Sequence, residues 1–492
     1  IATRARQSVM RGFCKAEVLP DCPSDPTNVN LTKVWQKRRM NIEKNHTKPE
    51  DLTHDIEAFL QKVIEAVENE GKEPSKRVGR KQILPSLVLW SGVIVAVLRG
   101  FESQLDVWRL VSWDGFWHHP PKKVCDQAVY NRGSQYLHQL FLTVRDGLSE
   151  RLAPYIKKQI ASFATGVYAL DGSTLDKVAR YLPKLKEVPN GDSRLLPGKL
   201  VGLFDIRLQQ WREMIHLPNP NQNDKTVARE LIQGLPPGSL ILADLGFFGF
   251  HWFDQLTDWK MWWVSRLREK TTFDVIHTYY QDGDLFDGII WLGKYRADQA
   301  AHAVRLVTFT VGKTQFRYIT NVLDPHRLSL HDIAVLYARR WDIELAFKMV
   351  KRHLNLHILW SAKQEIILQQ VWSVLIIAQI LHAFQMEIAG LAQVDPFDVS
   401  LELITRYVPR LTSEGKNPMQ MIVDQGRDFG FIRPSRRIRP QTPPVDPLKI
   451  VPLPPETTLV RKPRYAQRRC DPPVPPSQNV ASQGVFWYPW LC

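Results

Sequence analysis

The sequence predicts an α/β fold with a helical lead-in, on three observations. Apolar residues recur at three- and four-residue steps up to about residue 160, and at alternate positions from about 165. From there to 267, short apolar segments and helical segments alternate, as expected of a sheet flanked by helices. After a further β-rich stretch, residues 331–360 read as one long amphipathic helix.

Residues 1–50 are basic and turn-rich without sustained periodicity, and are expected to be a basic arm. Residues 51–160 form a helical region. A helix starts at Asp51, a basic Gly/Pro break covers Gly71–Lys81, and a helical block runs over 83–111. After a Pro-Pro turn at 120–121, a helix from Cys125 has Asp126 near its N-cap and carries Tyr130, Asn131 and Arg132. Such short helices and turns suit a helix-turn-helix-like DNA-binding domain, with an ordinary helical scaffold as the alternative.

Residues 161–267 read as the first part of a core. The strand G-V-Y-A-L-D-G-S-T ends in Asp171, and strands follow at 199–206 and 208–217. A helix from Asn223 is stopped by Gly234 and Pro236-Pro237. The buried strand S-L-I-L-A then runs into Asp244, with a helix at 249–258 and a strand at 261–267. Three strands, helix, strand, helix, strand is the order found in ribonuclease-H-like folds. Residues 268–325 contain four more alternating segments, a β-rich insertion before the long helix. Residues 326–432 complete the core and add C-terminal helices at 361–392 and 396–430. From 433 to 492, 14 of the 34 prolines crowd together with many arginines, so an extended basic tail without a packed core is expected.

The net charge of +15 on 492 residues, with a pI near 9.5, points to an anionic partner, nucleic acid being the commonest. Five scattered cysteines without a C-x-x-C pair exclude a disulfide framework or a cysteine zinc finger and fit a reducing cytoplasm. The apolar runs at 84–98 and 366–381 fall short of the roughly 20 residues that span a bilayer, so no membrane association is expected. No signal peptide is visible.

The helix at 331–360 carries two stripes. Leu336, Ile343, Phe347 and Val350 form an apolar one. Beside it Tyr337, Arg340, Glu344 and Lys351 fall within roughly 60° of one another at about 100° per residue. A hydroxyl, two cations and a carboxylate beside buried surface suit a site that handles phosphate and a divalent metal; a solvated charged face is the plainer alternative. Carboxylates at strand ends, Asp171 and Asp244, project into the crevice where such sheets bind ligands. With Glu344 they make an all-oxygen donor set. Such a set selects Mg²⁺, with Mn²⁺ as a substitute, and three carboxylates can hold two ions.

The spacing Tyr337-x2-Arg340-x3-Glu344-x6-Lys351 resembles the Y-R-E-K signature of bacterial insertion-sequence transposases of the DDE class, the insertion-sequence-four type. D-G-S-T at 171–174 and A-D-L-G-F-F at 243–248 resemble the first and second aspartate motifs of that group. The resemblance covers roughly 80–430. It implies Asp171, Asp244 and Glu344 as catalytic metal ligands, and Tyr337, Arg340 and Lys351 as contacts to DNA phosphates. It also implies cleavage at transposon ends and transfer of the 3′-hydroxyl strand to target DNA, by a homodimer or larger assembly on double-stranded DNA in the bacterial nucleoid. Some members stack a flipped base on an insertion-domain Trp; Trp291 is a candidate, a core Trp the alternative. Two rival functions are a domesticated DNA-binding descendant and a ribonuclease-H-like nuclease that only hydrolyses. The three intact carboxylates speak against lost catalysis.

Overall fold

The computed structural model describes residues 49–69, 83–155 except 133, 160–175, 197–294, 298–435 except 362 and 415, then 437 and 440–465. The basic arm over 1–48, the break at Gly71–Lys81 and the tail beyond 465 lie outside the described residues.

Nine strands form one sheet: β1 Val167–Thr174, β2 Lys199–Asp205, β3 Gln210–Leu217, β4 Leu240–Ala243, β5 Trp262–Arg266, β6 Phe273–Asp282, β7 Leu285–Leu292, β8 Val304–Val311 and β9 Thr314–Thr320. Their order is β3-β2-β1-β4-β5-β9-β8-β7-β6. Strands β1, β2 and β3 pair antiparallel, whereas β4 runs parallel to both β1 and β5. The residues read as an insertion join this same sheet, because β9 pairs antiparallel with β5. They extend it by a four-stranded meander.

Both faces of the sheet are covered, which is why the parallel strand Leu240–Ala243 is apolar at every position. On one face, Tyr168, Leu170, Ile241, Ala243 and Trp263 share a core with helices α6 (Lys225–Gln233) and α7 (Phe250–Asp258). The same-face residues of each strand are two apart. The residues between them, including Asp171 and Asp244, therefore point to the opposite face. There α9 (Trp341–Lys348) packs on β1, and Phe347 meets Trp211 of β3 at a ring separation of 4.8 Å.

The helices are shorter than their hydrophobic pattern suggested. The block at 83–111 is two helices, α2 (Ser86–Leu98) and α3 (Gln104–Arg109), separated at Gly100, whose φ of +73° ends the first. The helix from 125 is a single turn, α4 (Gln127–Tyr130), followed by α5 (Gln135–Leu152). Helix α2 is buried at eleven of its thirteen residues. It serves as a core helix and cannot lie in a DNA groove. Helix α10 (Gln364–Ala392) is long and apolar enough to cross a membrane, contrary to the estimate from the apolar run. Yet 89% of its apolar window is buried, and it packs on α2, α5 and β3 as a central helix. The stretch at 396–430 divides into α11 (Leu401–Ser413) and α12 (Pro418–Gln425).

The stretch at 331–360 is also not one helix. Helix α8 (Leu330–Arg339) opens on a capping box between Ser329 and Asp332. At Arg340 the backbone tightens, its N–H donating three residues back to Tyr337 O at 3.1 Å, and α9 follows. A wider π-turn at Met349–His353 then ends the helix, with Leu354 N–H donating five residues back to Met349 O.

The proline-rich end is extended as expected, but up to residue 465 it is fastened to the fold. Backbone bridges join Gln299 to Arg464 and His302 to Val460, and the Tyr465 hydroxyl donates to Asp254 at 2.7 Å. Ile450, Leu453 and Leu459 pack against Tyr279, Ile289 and Ala303. Proline removes donors and fixes φ but leaves carbonyls and apolar rings free, so such a segment can be held on a sheet that folds without it.

A buried ion pair fastens the meander to the site helix. Arg305 is 0% and Asp287 3% exposed. Two hydrogen bonds of 2.7 and 2.6 Å join them, and Arg305 also donates to Leu328 O, one residue before the α8 cap. Replacing Asp287 with Ala leaves a buried charge unpaired and is expected to cost about 3–5 kcal/mol of stability in denaturant unfolding. A loss under about 1 kcal/mol would show the pair to be dispensable.

Candidate active site

Strand register brings the first two carboxylates together. In the parallel pair β1·β4, Leu170 stands beside Ala243, so the next residues, Asp171 and Asp244, are neighbours on one face. Asp171 does not end its strand as expected. It marks the point where β4 turns away, while β1 continues to Thr174 against β2. Asp244 does follow the last residue of β4 and opens a short turn at Leu245–Phe247. Gly172 follows Asp171 in close quarters: a Cβ there would lie 2.5 Å from the Asp224 carboxylate, which would have to shift.

Glu344 arrives on this same face, carried by α9. The buried stripe Leu336, Ile343, Phe347 and Val350 seats α8 and α9, and Arg340 and Glu344 stand one turn apart at its edge. One guanidinium then reaches all three carboxylates. Arg340 donates to Glu344 Oε1 at 2.8 Å and lies 4.0 Å from both Asp171 Oδ2 and Asp244 Oδ1. Burial alone would lower the pKa of Arg340, but Tyr337, Asp244 and Glu344 more than offset this and raise it. It stays cationic.

The other predicted residues are placed differently. Tyr337 is buried, with its ring beside Arg266 and Arg340 and its hydroxyl without a hydrogen-bond partner among the described residues. Burial pushes its pKa up to about 12, so it is a neutral donor. Lys351 lies on the π-turn and donates to the Thr174 carbonyl at the end of β1. Trp291 is half-buried: it packs among the residues that hold Ile450 and Leu453, with the Arg461 guanidinium 4.5 Å over its ring. Two residues beside the site were not singled out from the sequence, Asp224 and its partner Lys199. Asp224 reads as a helix N-cap, and only β1·β2 pairing carries Lys199 to it.

The donor chemistry fits a hard divalent cation. All three groups are carboxylates, and a single Arg leaves negative charge unbalanced. Burial pushes Asp171 up from 3.8 to about 6, against the lowering effects of the Gly172 N–H and Arg340, with Glu344 and Asp244 adding to the rise. Ionised Asp171 is thus held at a cost of roughly 3 kcal/mol, which a bound cation would relieve.

This gives a pH prediction for protein in chelator. The folded state holds the Asp171 proton more tightly than the unfolded chain, so stability falls as pH rises from about 4 to about 6 and the penalty persists above. Asp171→Asn removes the penalty. It is expected to stabilise by up to about 3 kcal/mol at pH 7, with the gain vanishing below about pH 4. Thermal unfolding across pH measures it; a variant less stable than the parent at pH 7 would contradict the assignment.

Parts of the chain are similar to known proteins. Residues 203–380 match the family described as Transposase DDE domain, a span that includes Asp244 and Glu344 and starts after Asp171. The chain is 27% identical over 132 residues to the transposase for insertion sequence element IS231F of Bacillus thuringiensis subsp. israelensis, covering 26% of this chain and 27% of that protein. It is 24% identical over 150 residues to y4zB of Sinorhizobium fredii (strain NBRC 101917 / NGR234), a transposase by name, covering 29% of this chain and 41% of that protein. The chain thus matches less than half the length of either relative. The cryo-EM structure of a piggyBac transposase synaptic complex with hairpin DNA aligns over 82% of this chain and 88% of its own, at 11% identity and a TM-score of 0.38. The middle of this chain is similar to a transposase DDE domain, and that domain contains two of the three converging carboxylates.

Proposed function

We propose that the protein is a bacterial DNA transposase of the DDE class, similar to insertion-sequence enzymes with the Y-R-E-K signature. The observation that carries this reading is the convergence of Asp171, Asp244 and Glu344 on one guanidinium. The order β3-β2-β1-β4-β5, antiparallel then parallel, supports a ribonuclease-H-like core, with β6–β9 as its insertion. The charge of +15 supports double-stranded DNA as the partner, both transposon end and target. Assembly as a homodimer or larger on paired ends, in the nucleoid of a bacterial cytoplasm, belongs to the same reading.

Asp171, Asp244 and Glu344 would hold two Mg²⁺ ions, or Mn²⁺ in their place. When bound, the ions supply Lewis-acid activation of the attacking water or 3′-hydroxyl and stabilise the leaving oxygen. The chain's own groups do the rest. Arg340 offers a planar fork to a phosphate oxygen at the centre of the site. The unpartnered Tyr337 hydroxyl is a second donor, and Lys351 adds a cation where β1 ends. The sheet and the buried stripe of α8 and α9 hold these groups rigid, so little reorganisation accompanies transfer.

The test is Mg²⁺-dependent cleavage and strand transfer on DNA from either side of the gene, searched for inverted repeats. Glu344→Gln is expected to lower the rate by about 10²-fold or more, and Arg340→Ala and Lys351→Ala to weaken binding to the ends and slow turnover. Circular dichroism should show unchanged helix in all three. Cleavage by Glu344→Gln at the parent rate would overturn the mechanism, and cleavage without joining would favour a nuclease.

A further inference from the structure

A second cluster of ligand-type side chains lies apart from the carboxylates. His54 and Glu57 stand three residues apart on one face of helix α1 (Pro49–Asn69). A tight loop brings His118 and His119 to them. Gly115, with φ +72°, bends the chain where a Cβ would lie 2.8 Å from His119 O, and backbone bonds between Phe116 and His119 close the loop. One ligand atom from each of His54, Glu57 and His118 lies within 4.8 Å of the others. The His54 and His118 rings stack at 4.9 Å. The Glu57 side chain is only 8% exposed, and its ion-pair partners among the described residues are His118 and His119, at 2.8 and 2.6 Å.

We propose that His54, Glu57 and His118 form a Zn²⁺ site that fastens α1 to the 116–119 loop. Among the described residues this buried carboxylate is faced by imidazoles and by neither Lys nor Arg, an arrangement that suits a bound cation. Two imidazole nitrogens and one carboxylate oxygen select zinc over magnesium. Tetrahedral zinc at about 2.0–2.1 Å sets its ligand atoms about 3.3 Å apart, between the hydrogen-bonded and the widest separations seen here, so small side-chain rotations suffice. His119, bonded to Glu57 Oε1, orients the carboxylate so that Oε2 faces the metal. Three protein ligands leave a fourth position for water, and the half-open surroundings of His54 and His118 give the ion a route in.

The experiment uses untagged full-length protein, with excess Mg²⁺ present to occupy the carboxylate site. Elemental analysis and titration with Zn²⁺ should give one tightly bound zinc per chain, and Co²⁺ in its place should show the visible bands of a tetrahedral site. His54→Ala, an exposed position, should abolish stoichiometric binding with the fold intact by circular dichroism. His119→Ala should weaken binding by roughly 10–100-fold. Zinc bound below one equivalent by the parent, or equal affinity in His54→Ala, would overturn the proposal and leave Glu57 as a hydrogen-bonded latch between helix and loop. A Zn²⁺-dependent rise in melting temperature confined to the parent would support it.

Discussion

The guanidinium of Arg340 sits where three carboxylates from three distant segments meet, a meeting that the placement of the surrounding elements makes possible. Without it, Asp171, Asp244 and Glu344 would be three like charges at the edge of a packed sheet. Arg340 lowers the cost only in part, as the raised pKa of Asp171 shows. A site left short of positive charge in this way is prepared for a cation.

Two buried charge clusters hold the site helix against the sheet. Arg305 links Asp287 to the carbonyl of Leu328, just before α8 begins. At the junction of α8 and α9, Asp342 is buried and accepts from Arg339, Gln209 and Arg437, drawing the β2–β3 turn and the C-terminal segment onto the same point. Neither cluster touches the three carboxylates. Both tie the two helices that carry Arg340 and Glu344 to the sheet and to the C-terminal segment. The fastened segment up to residue 465 extends this, covering Trp291 and the far strands.

Much of the fold was legible from periodicity. The strands around Asp171 and Asp244, the helix from Asn223 and the four strands of 268–325 all stand close to where alternation and turn residues put them. Helix boundaries were less legible. The single helix expected over 331–360 is two helices and a π-turn, with the break at Arg340 just before Asp342, which accepts hydrogen bonds from other segments. The apolar character of α2 and α10 was visible, but whether such helices face lipid, DNA or protein depends on their neighbours. The Pro-rich end showed its lack of a core, and not the sheet edge that receives it.

By itself the sequence singled out the candidate side chains: three acidic residues in suggestive contexts, and a polar row at helical spacing. Residue type, strand alternation and helical period are local properties, and a reader of one segment at a time can follow them. Only the tertiary structure decided which carboxylates meet. That depends on the register of β1 against β4, on the parity that sends Asp171 and Asp244 to the face of α9, and on buried salt bridges far along the chain. The same limit hid the pairing of His54 and Glu57 with His118, since no local pattern joins a helix to a loop some sixty residues later.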